Sequence, residues 1–141
     1  MTPERAHLVR ESWRQLAPTP DRAVASFYRR LFELDPRTTA LFEATDMEAQ
    51  RKKFADMLTR IVRQLDSPEE LIPNLAPLAR RHVHYGVRAS DYHTVGEALV
   101  WALEQALGDA LTDDVRSAWT EAYALLAAVM LRVAAKPPAA L

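Results

Sequence analysis

The sequence predicts an all-α protein of one domain. Three observations carry this. Apolar residues recur at i, i+3, i+4 and i+7 in successive runs, and no stretch alternates with period two. The nine prolines mostly punctuate those runs, where a missing N–H and a fixed φ are tolerated. Only three glycines are present, too few for a series of primed hairpin turns. A length of 141 residues fits one domain, long enough to bury roughly 70% of its unfolded surface.

The elements follow in order. Thr2-Pro3-Glu4 reads as a cap, a first-turn proline and an acidic residue, opening a helix over 3–16 with the stripe Leu8, Val9, Trp13 and Leu16. Thr19-Pro20-Asp21 opens a second, over 20–34, with Val24, Phe27, Tyr28, Leu31 and Phe32 on one face. Asp35-Pro36-Arg37 starts a short helix over 36–42. The segment between Phe42 and Gln50 is too short for a helix of its own and is expected as a loop. A helix over 47–65 carries Phe54, Met57, Leu58, Ile61, Val62 and Leu65. Ser67-Pro68-Glu69-Glu70 has the form of a capping box, so Ser67 and Glu70 are expected to cap a helix over 68–84, with a break near Pro73. Ser90-Asp91 opens a helix over 91–107, closed by Gly108, and Thr112-Asp113 opens the last, over 113–135. Residues 1–136 are therefore read as the domain and 137–141, rich in Ala and Pro, as a short flexible tail.

Composition excludes several chemistries. With no cysteine there is no disulfide, zinc-thiolate site, iron–sulfur cluster or thiol nucleophile. No Gly-rich phosphate loop, G-x-S-x-G or H-E-x-x-H occurs. Eighteen basic against nineteen acidic residues argue against a nucleic-acid surface. Acidic pairs such as Glu69-Glu70 and Asp113-Asp114 suit helix N-termini better than acid/base catalysis. The N-terminus does not read as a signal peptide, and no uninterrupted apolar run is long enough to span a bilayer, so a cytoplasmic protein without membrane contact is expected.

The four histidines differ in placement. His82 continues the apolar stripe Leu75, Leu78, Ala79 and Tyr85, so it faces inward. His84 lies about 200° further round the helix and faces out. The residue pattern by itself leaves His82 as either a core histidine bonded to a backbone carbonyl or a ligand. Tyr28 sits on a strongly apolar face, where a buried phenol needs a partner. Gln50 and Phe54 share a face at i, i+4, with Lys53 the basic residue nearest that stripe.

Taken together, these positions resemble the globin family, and within it the bacterial single-domain globins related to the haem domain of flavohaemoglobins. The resemblance spans about residues 3 to 133. It is carried most strongly by Arg80-Arg81-His82-Val83-His84-Tyr85-Gly86-Val87 followed by Tyr92-His93-Thr94-Val95-Gly96. Pro36 and Phe42, Tyr28 fourteen residues before Phe42, and Gln50 thirty-two before His82 fall at the family's spacings. So does Ala118-Trp119-Thr120-Glu121-Ala122-Tyr123 in the last helix.

The resemblance implies a three-over-three helical sandwich around one haem b, with His82 as the iron ligand. It implies that Tyr28 and Gln50 are the distal donors and that Phe42 and Phe54 wall the pocket. Tyr85, Val87, Tyr92 and Val95 are expected on the proximal side, with Lys53 and Arg81 on the haem propionates. Three departures stand out. The 141 residues leave no room for a flavin or nicotinamide domain, so turnover would need an external reductase. Ala134 occupies the place of a glutamate that bonds the proximal histidine in flavohaemoglobins, although Tyr92 is retained. Phe54 is bulkier than the aliphatic residue usual on the distal side.

The implied function is tight, reversible binding of O2, NO and CO, for oxygen binding, scavenging or sensing. The alternative is an NO dioxygenase that forms nitrate. A monomer or homodimer is expected.

Overall fold

The computed structural model describes residues 1–135. They form α1 (Pro3–Leu16), α2 (Asp21–Leu34), a 3₁₀ segment (Pro36–Phe42), α3 (Met47–Arg63), α4 (Pro68–His84), α5 (Ala89–Leu107), a 3₁₀ turn (Gly108–Ala110) and α6 (Asp113–Ala135). No strand occurs among the described residues. The expected tail, 137–141, lies outside them.

Most helix starts follow from local chemistry. Thr2 Oγ1 accepts the N–H of Arg5 at 3.3 Å, and Asp46 accepts those of Glu48 and Ala49 at 3.0 and 3.4 Å. Thr112 accepts the N–H of Val115 at 3.2 Å. Gly108 closes α5 with φ +53°, a conformation that favours glycine.

Four local expectations are corrected. The Ser67 side chain caps nothing; instead its backbone carbonyl takes the N–H groups of Glu70 and Leu71. Pro20 itself occupies the cap position of α2, so Thr19 is not the cap and the helix begins at Asp21. The break near Pro73 does not occur. α4 continues through Pro73 and Pro77, both of which are exposed. Finally, α5 begins at Ala89, because the Asp91 carboxylate reaches back to the N–H of Arg88 at 2.8 Å.

The helices pack in two layers, α1, α3 and α4 over α2, α5 and α6, with α2 crossing α5, α1 against α6 and α4 against α6. Between the layers the Trp13 and Trp119 rings meet edge to face, 6.2 Å between centroids. Each indole N–H has a partner: Trp13 donates to Thr59 Oγ1 at 2.9 Å and Trp119 to the buried Ser12 Oγ at 2.8 Å. By length and composition α6 could cross a membrane, yet it packs against α1, α4 and α5. Gly96 on α5 lets α6 approach: a Cβ there would lie 2.7 Å from the Tyr123 ring.

Candidate ligand-binding site

Residues of α2, the 3₁₀ segment, α3, α4, α5 and α6 line a cavity of about 430 Å³, within the range of ligand-binding pockets. Apolar side chains make its depth, among them Leu31, Ile61, Leu75 and Leu99. His82, near the C-terminus of α4, lines it.

The His82 ring is held in one orientation. Its Nδ1 lies 2.8 Å from the carbonyl oxygen of Leu78, one turn earlier. A carbonyl can only accept, so Nδ1 carries the proton and donates it. In the neutral ring Nε2 then keeps its lone pair, as a metal ligand requires. Burial favours that neutral form by holding the imidazole pKa below its ordinary value, against the pull of the Leu78 bond. Tyr92 stacks 6.1 Å from the His82 ring. Tyr92 is itself held by Tyr123, whose hydroxyl donates to the Tyr92 carbonyl at 2.5 Å.

Across the molecule, α2 and α3 bring Tyr28 and Gln50 together. Gln50 Nε2 donates to the Tyr28 hydroxyl at 3.1 Å, a contact between residues twenty-two apart in sequence. The phenol is therefore an acceptor in this bond, and its own proton remains free to donate. Burial raises its pKa and keeps it protonated, with the Gln50 bond acting the other way. Four phenylalanines surround it, with ring centroids at 5.0 Å (Phe27), 6.1 Å (Phe32), 5.5 Å (Phe42) and 5.7 Å (Phe54).

Phe42, Phe54, His82, Tyr85, Val87, Tyr92 and Val95 all line the cavity. Tyr28 and Gln50 are not among the lining residues; the Tyr28 ring packs against Phe42 and Phe54, which are. The Phe54 ring is stacked on Phe27 at 4.7 Å, which fixes it in that position. Tyr85 lines the cavity but is 61% exposed, because it sits where α4 ends and the chain turns. Lys53 and Arg81 are exposed and lie outside the lining. Arg37 and Arg88 line it instead, together with Asp35 and Asp91. Sequence reasoning missed these four as site residues: Asp35 and Asp91 read as helix-start residues, and neither arginine lies on an apolar stripe.

The set fits a flat apolar group with an acidic edge and a metal at its centre. An imidazole nitrogen offers coordination, apolar walls exclude water, and two guanidinium groups stand where the cavity meets solvent. No cluster of three or more His, Cys, Asp or Glu able to hold a bare metal ion occurs among the described residues.

This is an α-helical sandwich built to enclose a ligand, and its ancestry is visible in comparisons with known proteins. A family model described as Globin matches residues 25–130. The chain belongs to the globin family. It is similar to a flavohemoprotein of Chromobacterium violaceum, 36% identical over 109 residues, covering 76% of this chain and 27% of that protein. A flavohemoprotein of Rhizobium meliloti is 33% identical over the same share of each. One from Halalkalibacterium halodurans is 30% identical over 138 residues, covering 96% of this chain and 34% of the relative. The chain thus spans only between a quarter and about a third of the length of these curated relatives.

Proposed function

We propose that the protein binds haem b through His82 and uses the site for tight, reversible binding of O2 and other diatomic ligands. One observation carries this reading: the bond from His82 Nδ1–H to the Leu78 carbonyl leaves Nε2 as the free donor of a residue lining an apolar cavity. When bound, the haem would supply an iron centre that coordinates a small gas molecule and exchanges electrons.

The chain's own residues would do the rest. His82 holds the cofactor and, through Leu78, keeps its ring plane fixed. Leu31, Phe42 and Phe54 exclude water. Tyr28 and Gln50 are hydrogen-bond donors for a ligand that takes up negative charge. A net hydrogen bond is worth roughly 1 kcal/mol and one to a charged acceptor about 1.5–3 kcal/mol. Two such donors slow ligand release by about one to three orders of magnitude.

The likeness to flavohemoproteins favours a second reading, conversion of NO and O2 to nitrate with an electron from a separate reductase. Tight oxygen binding serves that chemistry as well, since oxygen must be held until NO arrives.

Absorption spectra of the oxidised, reduced and CO-bound forms test the first reading. The protein is expected to carry a Soret band, and His82→Ala to lose most of its haem. A wild-type protein that stays colourless after reconstitution refutes the assignment. Tyr28→Phe is expected to release O2 about ten- to a hundred-fold faster in stopped flow. Sustained NO consumption with NADH and a reductase, with nitrate as product, separates the second reading from the first.

A further inference from the structure

The cavity is apolar in its depth and charged at one edge. Two arginines line it. Arg37 comes from the start of the 3₁₀ segment and Arg88 from the turn between α4 and α5; their side chains are 70% and 60% exposed. Each has an aspartate beside it that also lines the cavity. Arg37 Nε and Nη2 donate to the Asp35 carboxylate at 2.9 and 2.8 Å. Arg88 Nε lies 3.7 Å from Asp91, whose carboxylate is already committed to the Arg88 backbone N–H.

The four groups sense one another across the opening. The hydrogen bond from Arg37 holds the Asp35 carboxyl below its ordinary pKa, and the charge of Arg88 adds to that. The bond to Asp35 raises Arg37, and the charge of Asp91 adds in turn. The α2–3₁₀ corner and the α4–α5 turn both line the cavity, although Arg37 and Arg88 are fifty-one positions apart in sequence.

We propose that Arg37 and Arg88 are the carboxylate-binding edge of this cavity and receive the two propionates of the haem. The proposal rests on the haem reading above. A guanidinium carries five N–H donors, and Asp35 engages two of those on Arg37. The Arg88–Asp91 separation exceeds hydrogen-bond length, so the Arg88 head is free to bond elsewhere. A guanidinium tethered by an ion pair, as Arg37 is, loses less side-chain freedom when a planar carboxylate docks. The neighbouring aspartates offset part of the attraction and solvent screens the rest, so the gain is modest. Lys53 and Arg81, the basic residues that helix position alone nominates, lie off the lining.

The test is the rate of haem transfer from the reconstituted protein to excess apomyoglobin. It is run with haem and with haem dimethyl ester, which lacks the two charges. Arg37→Gln/Arg88→Gln is expected to lose haem about ten-fold faster than wild type, each single variant about three-fold faster. The ester is expected to leave wild type and double variant at the same rate. Lys53→Gln and Arg81→Gln are expected to stay within two-fold of wild type. Far-UV circular dichroism of the apoproteins checks folding, and Arg37→Lys/Arg88→Lys, which keeps the charge, is expected to fall between the two. Equal loss of haem and ester from wild type overturns the proposal, as does acceleration by the Lys53 and Arg81 variants alone. A wild type that takes up haem through His82 but ignores both arginine changes refutes only this edge. A wild type that takes up neither porphyrin refutes the haem reading as well.

Discussion

Phe54 joins the cavity to the Tyr28–Gln50 pair. Tyr28 and Gln50 are hydrogen-bonded to each other, and the Phe42 and Phe54 rings that line the cavity pack against the Tyr28 ring. Phe54 is held there by its stack on Phe27. Replacing it with leucine removes that stack and widens the approach to the site beside the phenol. Phe54→Leu is expected to speed oxygen association about ten-fold in flash photolysis, while the Tyr28 bond keeps dissociation slow. An unchanged association rate would mean that the ring is not a barrier when haem is bound. The resemblance to globins nominated Tyr28 and Gln50 in the sequence; that Gln50 donates to Tyr28 is a tertiary contact. The packing of Phe54 on Phe27 and Tyr28 was not legible, because a helical stripe places a ring on a face without saying which neighbour it stacks on.

At the scale of elements, the α5–α6 contact is set by one missing Cβ. A methyl at Gly96 would stand 2.7 Å from Tyr123 Cε2, and the Tyr123 ring is tied by its hydroxyl to the Tyr92 carbonyl. Alanine gains about 1 kcal/mol in helix propensity, but overpacking against a tethered ring costs about 1–3 kcal/mol. Gly96→Ala is therefore expected to lower stability by about 1 kcal/mol in urea unfolding; a rise would show that the ring yields. Because Tyr92 stacks on His82, the same substitution is expected to shift the absorption spectrum of the haem form. Helix existence was legible throughout, because period and proline placement report it directly. Some boundaries were not. The Asp91 carboxylate and the Ser67 carbonyl decide two starts, and cap spelling does not reveal which polar atom makes the bond.

For the whole molecule, burial of phenols makes alkaline pH the exposed flank. Burial raises the pKa of Tyr28, Tyr92 and Tyr123, most of all that of Tyr123. In the unfolded chain a phenol ionises near 10, about where the folded protein still holds its proton. Above that pH the unfolded state binds fewer protons, so stability falls as pH rises; below it, this contribution is fully present. Each proton so withheld costs at most about 1.4 kcal/mol per pH unit. The urea midpoint is expected to drop between pH 9 and pH 11, and to drop less in Tyr123→Phe. An unchanged midpoint would show that these phenols ionise in place.

The sequence by itself determined the helices and the inward face of His82, and its resemblance to globins nominated Tyr28 and Gln50. The first two depend on short-range period along the chain. Only the tertiary structure decided that Gln50 donates to Tyr28, that Phe42 and Phe54 pack against that phenol, and that Arg37 and Arg88 line the same cavity. Those contacts form where segments distant in sequence come together. Helical periodicity carries no information about such meetings, because it reports the face a residue occupies and not what packs against that face.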